Sequence, residues 1–274
     1  MIIQKKAYAK INLYLKILDK LPNGYHNILT VMQRISLCDD IKININPSVV
    51  YNINITCDDN NIPADKTNTA YKSAALFLDY VKSAAEIDIC IKKKIPSQAG
   101  LGGGSSDAAS VLLGLNEYYN FILPEKSLLE IAAKVGADVP FFVKNKSRAI
   151  CRGIGEIITP VRIKRKGSHV LIVKPVYNIS TKKAFENFDN FRDANQFCEF
   201  DKYKNDFTAL AFSQNGKLKI IRDLILESGA AESELSGSGS ALFGIFDNLN
   251  AAQICKNAFN HRTDIEFCDI FEYI

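Results

Sequence analysis

The sequence predicts a mixed α and β protein, and three features carry that prediction. Apolar residues alternate over residues 7–17, they recur at helical spacing over residues 70–81, and a glycine-rich loop opens directly into a helix near residue 100. Strand-like and helix-like stretches keep interleaving to the end without an internal repeat, which is the pattern of an α+β or α/β class. At 274 residues the chain is long enough for one large or two ordinary domains.

The elements follow in order. Ala9, Ile11, Leu13, Leu15 and Ile17 share one face of the first strand, and Tyr8, Lys10, Asn12, Tyr14 and Lys16 share the other, wet face. Leu21-Pro22-Asn23-Gly24-Tyr25-His26 is a turn, residues 28–37 read as a second strand, and residues 41–45 and 51–57 as a further pair. Ala70, Ala74, Phe77, Leu78 and Val81 predict a helix capped by Thr67 or Asn68, followed by a strand over 87–91. A helix over 108–119 opens from the glycine loop, another runs over 124–135 and stops at Gly136, and Ala137-Asp138-Val139-Pro140 reads as a turn.

The segment from about Ser147 to Gly167 carries strand-like pieces around Gly153 and Gly155, and the domain boundary is expected near its end, giving domains 1–165 and 166–274. The second half carries a strand over 170–173, a short helix after Ser180, and a helix through Leu218, Ile221 and Ile225 ending at Gly229. After the loop Ser236-Gly237-Ser238-Gly239-Ser240 come a strand over 241–246, a helix over 251–259 and a last strand over 267–273. Residues 189–205, rich in Asn, Asp and Phe, match no motif and read as a variable surface segment.

Composition narrows the function classes. Apolar residues make up 47% and charged residues 23%, and 34 basic against 30 acidic side chains leave a formal charge of +4. That charge, with no long basic run, argues against a nucleic-acid partner. Seven scattered cysteines without a C-x-x-C pair, and three histidines, support neither a disulfide framework nor a zinc site. Free thiols in a reducing cytosol are the simplest account. No uninterrupted apolar segment is long enough for a signal or a membrane span, so the expectation is a soluble cytoplasmic protein, off the membrane.

Gly100-Leu101-Gly102-Gly103-Gly104-Ser105-Ser106 is the strongest chemical signal. Glycines there let the backbone turn tightly, and the following helix start adds unsatisfied N–H groups and a partial positive charge, a site suited to a di- or triphosphate. No lysine follows as in a Walker loop, the dinucleotide fingerprint lacks its third glycine, and the protein-kinase companion motifs are missing.

The run from Ile95-Pro96 through Ser105-Ser106-Asp107-Ala108-Ala109 resembles the central motif of the GHMP small-molecule kinases. Ala9-Lys10-Ile11-Asn12-Leu13, Gly24-Tyr25-His26, Gly136-Ala137-Asp138-Val139-Pro140-Phe141-Phe142 and Arg152-Gly153-Ile154-Gly155-Glu156 are similar to one branch of it. Gln98 departs from the pattern, where a small or apolar residue is expected. The resemblance implies a two-domain α+β GHMP kinase fold: an N-terminal α/β domain of ribosomal-protein type, a ferredoxin-like C-terminal domain, and an active site in the cleft between them.

The activity implied is transfer of the γ-phosphoryl of ATP, with Mg2+, to the 2-hydroxyl of a cytidine diphosphate-linked methylerythritol in non-mevalonate isoprenoid synthesis. Asp138 is the implied general base and Lys10 its charge partner. Read without the resemblance, Asp138 is an ordinary turn aspartate and Lys10 an ordinary surface lysine. ATP is expected on Pro96, Ser97, Gln98, Ala99, Gly100, Leu101, Gly102, Gly103, Gly104, Ser105 and Ser106, with Asn68 and Lys93 at the adenosine and a serine hydroxyl on the metal. Asn12, Tyr25, His26, Thr181 and Phe185 are the expected acceptor contacts, the rings stacking on cytosine. The Ser236-to-Ser240 loop either closes over the phosphates or is a structural turn. A homoserine or mevalonate type of kinase, and a catalytically silent or RNA-binding module, are the alternatives. The expected state is a monomer or weak homodimer.

Overall fold

The computed structural model describes residues 1–162, 169–194 and 203–274. The expected domain boundary at 165/166 lies outside the described residues, as do positions 195–202 of the unmatched segment.

Two long strands organise the N-terminal half. β1 (Ile2–Lys20) and β2 (His26–Pro47) pair antiparallel through a turn in which Gly24 takes φ +85°, a conformation glycine reaches without strain. β2 runs unbroken where two separate strands were expected. Ile35, Leu37, Asp39, Ile41, Ile43 and Ile45 all occupy its inward phase and all are buried, so the alternation continues through the acidic Asp39.

β3 (Asn52–Cys57) does not pair with residues 41–45 as expected. The helix α1 (Thr69–Val81) crosses over from it to β4 (Ala85–Lys92), so β3 lies parallel to β4, and β4 pairs with β2. β5 (Arg148–Arg152) and β6 (Ile157–Pro160) complete a six-stranded sheet. α1, α2 (Gly103–Tyr118), α3 (Glu125–Val135) and α4 (Val139–Val143) share a core with this sheet, centred on Phe77, Leu112 and Phe141. The expected turn at 137–140 is thus the start of α4: Phe141 and Phe142 are drawn into the core and wind the backbone into a helical turn behind Pro140.

The second sheet has the strand order β10-β7-β9-β8, built from β7 (His169–Pro175), β8 (Glu232–Leu235), β9 (Leu242–Phe246) and β10 (Ile265–Glu272), every pairing antiparallel. This is the ferredoxin-like order. α5 (Thr181–Ala194), α6 (Phe207–Gln214), α7 (Gly216–Glu227) and α8 (Leu249–Phe259) bury Phe188, Phe207, Leu218, Ile221 and Phe259 in a second core, which also takes Leu15 and Ile17 of β1. β8 and α6 were not expected; the first is four residues long and the second is apolar on nearly every side, so neither has a readable period. α5 is 14 residues rather than a short helix.

A third core joins the halves. Ala9, Ile11, Ile35 and Leu37 of the first sheet meet Val170, Ile172, Phe243 and Ile245 of the second, and Ile95, Ala99 and Leu101 plug into the same seam. The glycine loop is therefore anchored by its apolar residues between the two sheets. A cleft opens beside it.

Candidate active site

β1 presents Lys10 and Asn12 through two register shifts, between Tyr8 and Lys10 and between Asn12 and Tyr14. Such bulges re-aim side chains. The face expected to be wet is instead closed: Lys10 is 3% and Asn12 1% exposed. The Lys10 ammonium donates to Asn12 Oδ1 at 2.5 Å and to the Gly100 carbonyl at 2.9 Å, and it lies 3.5 Å from Asp138 Oδ2. Asn12 in turn donates to Thr30 Oγ1 at 2.8 Å, so its amide is oriented from behind.

Asp138 stands just ahead of α4, and its side chain makes no capping bond to that helix. With Phe141 and Phe142 packed edge to face at 5.2 Å, the carboxylate is held on a rigid base. At 3.5 Å and an effective dielectric of ~20 its attraction to Lys10 is about 5 kcal/mol before desolvation.

The loop reaches the same point from the other side. Gly100 and Gly102 both take φ +72°, and a Cβ on Gly100 would sit 1.9 Å from the Ser236 carbonyl oxygen. A Cβ on Gly102 would press on Phe142 at 3.0 Å and on Lys10 at 3.1 Å. Only glycine lets loop, lysine and α4 approach this closely. Gly102 is the cap of α2, so the unsatisfied amides of that helix's first turn open into the cleft.

The Ser236-to-Ser240 loop closes the arrangement. Ser236 Oγ donates to the Gly100 carbonyl at 3.0 Å, and Ser238 Oγ meets Thr181 Oγ1 at 2.9 Å. Asn205, fully buried, donates to the Leu235 carbonyl at 2.7 Å and the Gly237 carbonyl at 2.8 Å. The unmatched segment is thus not surface throughout: its last residue holds this loop.

A cavity of about 600 Å³ is bounded by these pieces, lined by Lys10, Asn12, Asn68, Lys93, residues 96–105, Asp138, Thr181, Phe185, Gly237 and Ser238. Ser106 is buried in the first turn of α2 and does not line it, so of the two serines Ser105 faces the cavity. Tyr25, 57% exposed, and His26 do not line it either. His26 is buried one layer back, stacked on Phe185 at 5.3 Å, with Nε2 against Asp189 Oδ1 at 2.9 Å and Nδ1 buried without a partner.

Two expected adenosine contacts are already engaged. Asn68 caps α1, accepting from the Ala70 amide at 2.8 Å and donating to the Pro63 carbonyl at 2.7 Å. Lys93 is gripped by Asp39 Oδ2 at 2.5 Å and Asp107 Oδ2 at 2.9 Å. Burial drives the Asp107 carboxyl up, with Asp39 adding to the rise and Lys93 opposing it. Burial works to lower the Lys93 ammonium, but the two carboxylates outweigh it and the net shift is upward.

Sequence reading missed Asp39, Asp107 and Asn205. For Asp39 the signal was present, since it sits in the apolar phase of a strand; for Asn205 no local pattern exists.

The comparisons agree with this geometry. Residues 68–146 match the model described as GHMP kinases N terminal domain, and residues 181–264 match GHMP kinases C terminal. The 4-diphosphocytidyl-2-C-methyl-D-erythritol kinase of Clostridium botulinum (strain Hall) is 40% identical over 273 residues, covering 94% of this chain and 95% of that protein. Its counterpart from Clostridium novyi (strain NT) is 35% identical over 272 residues, with coverage of 94% and 95%. A crystal structure of 4-(cytidine 5'-diphospho)-2C-methyl-D-erythritol kinase superposes with a TM-score of 0.78 at 27% identity, covering 98% of this chain and 99% of that one. Fold and site define an ATP-dependent small-molecule kinase with the two-domain GHMP architecture and its active site in the cleft. The chain belongs to the GHMP kinase family and, within it, to the family of 4-diphosphocytidyl-2-C-methyl-D-erythritol kinases.

Proposed function

We propose that this chain transfers the γ-phosphoryl of ATP to the 2-hydroxyl of 4-diphosphocytidyl-2-C-methyl-D-erythritol, with Asp138 as general base and Lys10 as its charge partner. The observation that carries the reading is the meeting of Lys10 Nζ with Asp138 Oδ2 at 3.5 Å beside the Gly100 carbonyl, on the wall of the cleft. The hydroxyl oxygen bonds to the γ-phosphorus as the bond to the β-bridging oxygen breaks, its proton passes to Asp138, and ADP leaves. A loose transition state asks for little early deprotonation, so positioning and charge stabilisation by Lys10 and the loop amides dominate.

Residues 96–105 hold the nucleotide in this reading, with Asn68 and Lys93 at the adenosine end, while Ser106, expected among them, is turned away from the cavity. Phe185 offers a ring face to cytosine from inside and the exposed Tyr25 from the rim. His26 stacks behind Phe185 and is held by Asp189, so in this reading it supports the stacking ring rather than touching the base. A homoserine or mevalonate acceptor has no use for that aromatic group.

Among the described residues no cluster of three or more His, Cys, Asp or Glu could cage a metal. Magnesium carried by ATP needs only one or two protein oxygens. Ser105 lines the cavity and its hydroxyl would fit that role, the ion neutralising charge on the moving phosphoryl when bound. We also place the domain boundary at 165/166, supported by the separate sheets before and after it, and the protein in the cytoplasm, supported by free thiols at each described cysteine.

An ADP-release assay over a panel of acceptors tests the substrate; turnover confined to mevalonate or homoserine sinks it. Asp138→Asn and Lys10→Ala should each lower kcat by at least about 100-fold with ATP affinity within a few-fold of wild type.

A further inference from the structure

An aspartate in the middle of a central strand needs a reason. Asp39 occupies the inward phase of β2, is 0% exposed, and interrupts an otherwise apolar row from Ile35 to Ile45. Burying a carboxylate is costly unless its oxygens are bonded. Both are: Oδ1 accepts from the Lys94 amide at 2.6 Å and the Ile95 amide at 2.8 Å, while Oδ2 takes the Lys93 ammonium at 2.5 Å. Three consecutive residues at the exit of β4 are therefore tied to one side chain. Those residues lead into the loop, since Ile95 is seated in the seam between the sheets and Pro96 already lines the cavity. Lys93 passes the constraint on, because Asp107 in the first turns of α2 grips the same ammonium, and a Cβ on Gly103 would lie 3.3 Å from it. One buried carboxylate thus links β2, the way into the loop and the helix at its end.

We propose that Asp39 is a positioning residue for the nucleotide, setting the spacing between the two ends of the glycine loop through Lys93 and the Lys94 and Ile95 amides. The proposal rests on the reading that residues 100–105 hold the ATP phosphates. Asp39 touches neither substrate nor the Lys10–Asp138 pair, so its effect belongs to ATP binding and not to the chemical step.

Steady-state kinetics with both substrates varied, together with calorimetric titration of ATP into the full chain, test it. Asp39→Asn keeps an oxygen for the two amides but turns an NH2 toward Lys93, so donor faces donor. The expected result is a rise of about tenfold in the KM and dissociation constant of ATP, with kcat at saturating ATP within about twofold and acceptor KM unchanged. Wild-type ATP affinity in a folded Asp39→Asn variant, or a loss confined to kcat, overturns the proposal. Gly104→Val, which sets a branched side chain over the exposed part of the loop, tests the underlying reading separately. If it abolishes ATP binding while Asp39→Asn binds normally, the loop reading stands and the role of Asp39 falls; if both bind normally, both fall. Should Asp39→Asn fail to fold, Asp39→Glu decides, because the longer side chain keeps the charge but carries the carboxylate away from the Lys94 and Ile95 amides: raised ATP KM supports the proposal and an unchanged one removes it.

Discussion

Asp107 shows how burial turns one side chain into a pH sensor. Its carboxyl binds a proton more tightly in the folded protein than in the unfolded chain, because desolvation and Asp39 penalise the charged form more than Lys93 favours it. A raised folded value means that stability is lost as pH rises from the ordinary carboxylate range through that value, the native state there holding more protons than the unfolded one. Melting temperatures across that interval should fall more steeply for wild type than for Asp107→Asn, which has no proton to lose; parallel profiles would remove Asp107 as the source. None of this was legible in the sequence, where Asp107 is one acid in a serine-rich motif. The partners that shift it lie 14 and 68 positions away in the chain.

At the scale of elements, Asn205 carries the clearest expectation. Its amide satisfies two carbonyls at the ends of β8 and the serine–glycine loop, and its oxygen accepts from the Phe207 amide at the start of α6. Asn205→Ala strands buried carbonyls, so stability should fall by about 3 kcal/mol in denaturant titration, with kcat falling too as the loop beside Lys10 loosens. A loss below about 0.5 kcal/mol would mean that water replaces the amide. Elements with strong periodicity were readable: α1 begins at Asn68, one of its two expected caps, and β4 and α7 fall within a few residues of their expected spans. β8 and α6 were not, and the expected strands over 28–37 and 41–45 are one strand, whose alternation continues through Asp39.

For the whole molecule, the seam of Ala9, Ile11, Ile35 and Leu37 against Val170, Ile172, Phe243 and Ile245 makes two sheets depend on one core. The chain should unfold in a single calorimetric transition, and Phe243→Ala should lower stability by about 3–5 kcal/mol while keeping that transition single. Two resolved transitions in the variant would show that the halves stand alone. β1 contributes to this seam, to the second core through Leu15 and Ile17, and to the cleft through Lys10 and Asn12, so the site inherits the rigidity of both halves. By itself the sequence determined the class and the glycine loop at a helix start, because backbone freedom at glycine and apolar periodicity are local properties; the residues expected around that loop were implied by resemblance to a family. Only the tertiary structure decided that Lys10 is buried, that it meets Asp138, that Lys93 is shared by two carboxylates and that Tyr25 stays exposed, off the cavity wall. Those depend on strand bulges, crossovers and packing between segments distant in the chain, which no local pattern encodes.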